Sequence, residues 1–172
     1  MASIVGFPDP VNEVSARVVA SGVVTLCLVT IVLDQPWLTA VIAYGFVARV
    51  VAGPTLSPLG QLATRVVTPQ LGVEPHYVPG PPKRFAQAIG AVLSVTASVL
   101  VLGLGLPGAG YAVLGALVVA AGLEAALGLC LGCKIFSLLM RVGVIPREVC
   151  ERCQNLGWRG DGGTRRATTT AG

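Results

Sequence analysis

The sequence is short of charge. Only 12% of its 172 residues are Asp, Glu, Lys or Arg, against about 25% in an ordinary soluble domain, so a water-exposed surface of usual composition is excluded. It has a single histidine, His76, which rules out histidine-cluster metal sites within one chain and leaves a Ser-His-Asp triad little support. Aromatic residues make up 5% of the chain. The basic residues lie scattered at the flanks of apolar runs, with no basic stripe carrying interleaved aromatics, so the net charge of +4 does not point to nucleic acid. The first apolar run has no basic segment before it, and it ends in LDQPW without a small-residue cleavage pattern. It therefore reads as a retained helix and not as a signal peptide.

Apolar residues make up 53% of the chain, in long runs. A bilayer core needs roughly 20 predominantly apolar residues per helix, and the expected fold is all-α: a polytopic membrane protein with four transmembrane helices arranged as two hairpins. The helices are expected at about 18–33, 37–52, 85–106 and 111–140 within a membrane domain over 18–140, after an N-terminal segment over 1–17. Asp34-Gln35-Pro36 makes the first turn and GLGLPGAG the second. Between the hairpins, Ser57-Pro58 signals a helix start, and Leu59, Leu62, Ala63, Val66 and Val67 follow at helical spacing. This predicts a short helix in the central loop, either lying in the membrane interface or packed on the bundle. EPHYVPGPPKR is expected to be non-helical for its prolines, 141–158 to form a polar segment below the membrane, and 159–172 to be a disordered tail.

Four spans place both termini and the central loop on one side, and all twelve Lys and Arg residues fall on that side or at its edge. The positive-inside rule makes it cytoplasmic, so a multi-pass protein with both termini cytoplasmic and the bilayer as first partner is expected. Trp37 and Tyr111 then open helices at the outer interface.

Chemistry concentrates in EAALGLCLGCKIFSLLMRVGVIPREVCERC. Cys130, Cys133, Cys150 and Cys153 form C-x2-C-x16-C-x2-C, a spacing within the range of zinc sites. Four thiolates suit tetrahedral zinc. On the cytoplasmic side stable disulfides are disfavoured, which favours reversible thiol chemistry or metal binding. As part of one long helix, Cys130 and Cys133 would gain nothing from a helix N-terminus, and apolar burial would raise their pKa. Cys150 and Cys153, flanked by Arg147 and Arg152, are then better suited to attack. Three readings stay open: a relay between the two pairs, a zinc site on all four cysteines with no other cofactor, and no joint role. Cys27 reads as a packing residue.

Arg49 and Glu124 are ionisable residues well inside the expected spans, and a charge in hydrocarbon calls for a partner. A direct Arg49–Glu124 contact is expected. Gly128 and Gly132 make a small-xxx-small step for helix approach. Gly103, Gly105 and Gly108 match G-x-G-x-x-G literally, but without a preceding strand they do not make a dinucleotide site.

The segments GPTLSPLG, PGPPKRFAQAIG and LEAALGLCLGC resemble a bacterial four-helix membrane family catalogued as a domain of unknown function. The likeness covers about Phe7 to Leu139, and GVIPREVCERC resembles actinobacterial members. The resemblance implies a membrane domain with the CLGC pair as hallmark, often encoded near thioredoxin-like or sulfurtransferase proteins. The leading expectation is thus a membrane protein that handles thiol redox state or sulfur with such a soluble partner. A structural or scaffold protein and a small transporter are the alternatives, the latter disfavoured because only Arg49, Glu124 and Gln87 offer polar groups within the spans.

Overall fold

Asn12 sets the first helix. Its side chain accepts the Val14 N–H at 3.0 Å, satisfying a donor that a helix start leaves open. Helix α1 follows over Glu13–Val32, earlier than the apolar run alone indicates. A computed structural model of the chain describes residues 11–53, 56–70, 72, 74 and 76–146, and these are mostly helical. Cys150, Cys153, Arg147, Arg152 and the expected tail lie outside the described residues.

The chain turns at Asp34, whose φ of 46° is left-handed, and Gln35 N–H bonds back to Thr30 O. Helix α2 (Leu38–Ala52) stops at Gly53, φ 62°. Ser57 then caps a new helix by accepting the Gly60 N–H at 3.3 Å, with Pro58 in the first turn, where its missing N–H costs nothing. This rod comprises α3 (Pro58–Leu62), a π-helical turn (Ala63–Val67) and α4 (Thr68–Gln70). A Cβ on Gly22 would lie 2.7 Å from Leu59 Cδ1, while Ser15 Oγ and Thr68 Oγ1 are 3.0 Å apart. The rod therefore runs antiparallel along α1. The central helix thus packs on the bundle, along α1.

Helix α5 (Gly80–Ser98) begins on Pro81 and Pro82 and ends in a π-helical turn, Val99–Gly103. The expectation that PGPPKR is non-helical fails because first-turn prolines give up no helical hydrogen bond. Helix α6 (Pro107–Leu127) descends beside it. The expected continuous helix over 111–140 is not formed: Gly128, φ 67°, ends α6, and a separate α7 runs over Leu131–Val142. Two short strands, β1 (Val11–Asn12) and β2 (Tyr77–Val78), pair antiparallel and tie the starts of α1 and α5 together.

Among the described residues three helices are long and apolar enough to cross a membrane: Glu13–Val32, Gly80–Gly103 and Pro107–Leu127. Helix α2, with 15 residues, is shorter and covers about 22 Å. The core joins Cys27, Ile42, Phe46, Ala97, Leu114 and Leu117. Val41, Val92 and Val119 point outward and exposed, as a lipid-facing surface requires.

The architecture contains a repeat. Each half reads strand, helix, helix, break, helix: β1, α1, α2, then the α3–α4 rod, and β2, α5, α6, then α7. Helix α2 packs on α5 as α6 packs on α1, and each half's last helix packs on its own first helix. Both breaks open with a left-handed glycine whose N–H bonds the carbonyl four residues earlier, Gly53 to Arg49 and Gly128 to Glu124. Both close with a side-chain cap, Ser57 to Gly60 N–H and Cys130 to Cys133 N–H, each at 3.3 Å. Arg49 and Glu124 thus occupy equivalent positions, and so do Ser57 and Cys130.

Candidate functional site

The break before α7 is stabilised from outside. Ending α6 at Leu127 leaves carbonyls without helical partners, and Arg17 from α1 takes them. Its Nε and Nη2 donate to Ala125 O at 3.2 and 3.1 Å, and Nη2 to Ala126 O at 3.0 Å. A cation at a helix C-terminus also suits the dipole. Gly128 supplies the left-handed turn, and Cys130 enters the next helix in an extended conformation, φ −81° and ψ 103°.

Cys130 is therefore the N-cap of α7. Its Sγ accepts the Cys133 N–H at 3.3 Å, placing sulfur where backbone donors and the positive end of the dipole converge. This overturns the expectation that Cys130 and Cys133 sit far down one long helix without help from a helix N-terminus. The second residue of the pair completes the arrangement: its thiol favours ionisation of Cys130 over its own.

Helix α7 is held by its apolar stripe. Gly132, Phe136 and Met140 are buried, at the spacing of one helix face. A Cβ on Gly132 would stand 2.5 Å from Ala86 Cα, so α7 meets α5 almost backbone to backbone. Phe136 packs on Phe85 with ring centroids 5.6 Å apart. The helix-approach role expected of Gly132 is thus seen, while Gly128 serves the turn. The opposite face carries Cys133, Lys134, Ser137 and Arg141 onto a cavity of about 510 Å³, which Cys130 and Lys83 also line.

An ion pair stands behind the thiols. Lys83 Nζ, on α5, meets Glu124 Oε1, on α6, at 2.5 Å, with the side chains 7% and 17% exposed. The direct Arg49–Glu124 contact does not form. Glu124 acts on Arg49 only through its field, and Arg49 lies buried over the Phe46 ring, 4.4 Å from its centroid, with Nε and Nη1 lacking hydrogen-bond partners among the described residues. Lys83 escapes a reading of the sequence because the prolines before it argue against a helix there. Its charge reaches both thiols.

The electrostatics separate the two cysteines. The Cys133 thiol, helped by the Lys83 charge and the Cys133 N–H, holds Cys130 below the ordinary thiol pKa, against burial and the Glu124 charge. The neighbouring Cys130 sulfur and burial push the Cys133 thiol up. Cys130 is thus the thiolate of the pair although it is only 8% exposed; access to it runs through the cavity. Cys27 is fully buried in the core, as its packing reading requires.

Two of the four sulfurs of the zinc reading, Cys150 and Cys153, lie outside the described residues. Among the described residues no group of three or more His, Cys, Asp or Glu could hold a metal. The glycines of the literal G-x-G-x-x-G fall at the turn between α5 and α6, at the opposite end of α6 from the cysteines.

Neither a curated protein nor a solved structure matches the chain. The sequence family that does match is described as a domain of unknown function (DUF4395), and the match extends over residues 11–141. The helical breaks, the Lys83–Glu124 pair and the CLGC cap all fall within that span, and the chain belongs to this family.

Proposed function

We propose that the protein is a thiol–disulfide exchange protein of the bacterial cytoplasmic membrane, with Cys130 as nucleophile and Cys133 as resolving thiol. The observation that carries this reading is the position of Cys130 as N-cap of α7, accepting the Cys133 N–H. A low-pKa thiolate at a helix N-terminus, paired with a thiol three residues on, is what exchange chemistry needs. Four spans in two hairpins, with termini and cavity cytoplasmic, agree with the Lys and Arg distribution. The α3–α4 rod adds length to the short α2 on the same side of the bundle.

In the reaction, the Cys130 thiolate attacks one sulfur of a disulfide. A Cys130–S bond forms, and the displaced sulfur leaves as a thiolate with the electron pair of the broken bond. Cys133 then loses its proton and attacks the Cys130 sulfur, and the second thiolate leaves. The substrate has gained two electrons and the protein holds a Cys130–Cys133 disulfide. Cys150 and Cys153 are the pair we assign to regeneration: a dithiol–disulfide exchange passes the two electrons back from a soluble dithiol carrier of thioredoxin-like type. A sulfurtransferase partner carrying a cysteine persulfide would use the same Cys130: its thiolate attacks the outer, sulfane sulfur, the partner's S–S bond breaks, and the partner cysteine leaves as a thiolate.

Protein purified without oxygen tests the reading by thiol counting, zinc analysis and disulfide trapping. Cys133→Ser is expected to accumulate a stable mixed disulfide at Cys130, and Cys130→Ser none at Cys133. Stoichiometric zinc with no oxidisable thiols would replace the exchange reading with a structural zinc site on the four cysteines.

A further inference from the structure

Beyond the exchange reaction, and resting on that reading, we infer that the cavity beside Cys130 selects a small anionic disulfide as substrate. At about 510 Å³ the cavity falls in the size range of small-molecule sites. Its charge is unbalanced. Lys83 is neutralised by Glu124, and Glu13, the one carboxylate of the lining among the described residues, has His76 Nε2 at 3.6 Å from its Oε2. Lys134 and Arg141 remain, with no ion-pair partner among the described residues. Both stand on the α7 face that also presents Cys133 and Ser137. Residues 134 and 141 are two turns apart, about 10 Å, which suits a substrate with an anionic group beyond each end of a short S–S unit. Attack by a thiolate on a dianion is hindered in water by like charge; two cations on the helix that Cys130 caps, both on the same side of its sulfur, offset that penalty and draw the anionic groups along the cavity. The balance is that of the exchange step: Cys130–S forms, S–S breaks, and an anionic thiolate departs past the same cations.

The test uses full-length Cys133→Ser protein in zwitterionic nanodiscs and three reagents: dithiodiglycolate, a dianion; hydroxyethyl disulfide, neutral; and cystamine, a dication. The rate of mixed-disulfide formation at Cys130 is divided by the rate of each reagent with a free small-molecule thiol. The expected order is dianion, neutral, dication, with about a tenfold advantage of dianion over neutral that shrinks at high salt. Adding Lys134→Gln and Arg141→Gln should bring the dianion down to the neutral reagent. Equal normalised rates for all three reagents would overturn the substrate assignment and leave exchange chemistry standing. No reaction with any of them would overturn the exchange reading itself. A second arm repeats the series with anionic lipid. If the preference vanishes there, Lys134 and Arg141 serve headgroups and the assignment falls.

Discussion

At the residue scale, the reactivity of Cys130 is set by three neighbours that pull in opposite directions. The Cys133 thiol and the Lys83 charge favour its thiolate, and the Glu124 charge opposes it. Substituting the ion pair one member at a time therefore has opposite consequences. Glu124→Gln removes a nearby negative charge and frees Lys83 for the sulfur, so the pH midpoint for alkylation of Cys130 should fall. Lys83→Met removes the cation and leaves a carboxylate without its partner, so the midpoint should rise. That variant should also be destabilised by about 3–5 kcal/mol, the typical result of stranding one member of a buried pair, seen as a lower unfolding midpoint in detergent. Shifts of the same sign in both variants would show that the pair acts only through packing. Arg49 and Glu124 were legible as buried charges because hydrocarbon makes any ionisable residue conspicuous. The partner of Glu124 was not, because it depends on where α5 begins, and a first-turn diproline hides a helix start from composition.

At the element scale, the decisive feature is the break between α6 and α7. It needs a left-handed residue at 128, carbonyl acceptors satisfied by Arg17, and close docking of α7 on α5 through Gly132. Gly128→Ala forces an L side chain to φ 67° and brings its Cβ to 3.2 Å from Glu13 Oε1, costing about 1–2 kcal/mol in backbone strain. Gly132→Ala places a methyl 2.5 Å from the Ala86 backbone, and overpacking of that kind costs about 1–3 kcal/mol. Hydrogen exchange should show faster exchange over 131–142 in Gly132→Ala while α1 and α5 stay protected. Unchanged protection of α7 would mean that it is not held by this contact. The run from Tyr111 to Met140 reads as continuous because every residue of EAALGLCLGC tolerates a helix or an apolar setting. The signals that mark the stop, one glycine and a cysteine acting as a cap, are weak: thiols are not among the strong N-cap side chains, and the partner of the freed carbonyls comes from a helix more than a hundred residues away. By contrast Ser57-Pro58 announces its helix through strong local chemistry, and the helix begins there.

At the scale of the whole molecule, two copies of one plan are assembled with reciprocal contacts, and of the two breaks only the second carries thiols. The first break holds Ser57-Pro58-Leu59-Gly60 where the second holds Cys130-Leu131-Gly132-Cys133. The scaffold thus builds two capped half-helices at equivalent places, a plan known from membrane transport folds with paired halves and discontinuous helices. The CxxC thiols of the described residues are thus confined to the half whose cap is sulfur. The helical membrane character was readable from composition, since apolar runs of span length match the thickness of a bilayer core. The repeat was not, because the halves share backbone events and hardly any residue types. The assembly also predicts a polarity. Asp34 and Tyr111, bonded through the tyrosine hydroxyl, mark one end, while Cys130 and the cationic cavity mark the other. With a membrane-impermeant maleimide, a Gln35→Cys variant should label in intact cells and Cys130 only after permeabilisation; the reverse pattern would invert the proposed topology.

Residue-resolved alkylation of the reduced, full-length protein across pH, read by peptide mass spectrometry, bears most directly on the role of Cys130 as the capped thiolate. Cys130 should react faster than Cys133 at neutral pH, with a midpoint below the ordinary thiol value of about 8.5. Cys133→Ala should raise that midpoint by removing the thiol that favours ionisation of Cys130. A Cys130 midpoint at or above the ordinary value, or Cys133 as the faster thiol, would contradict that role.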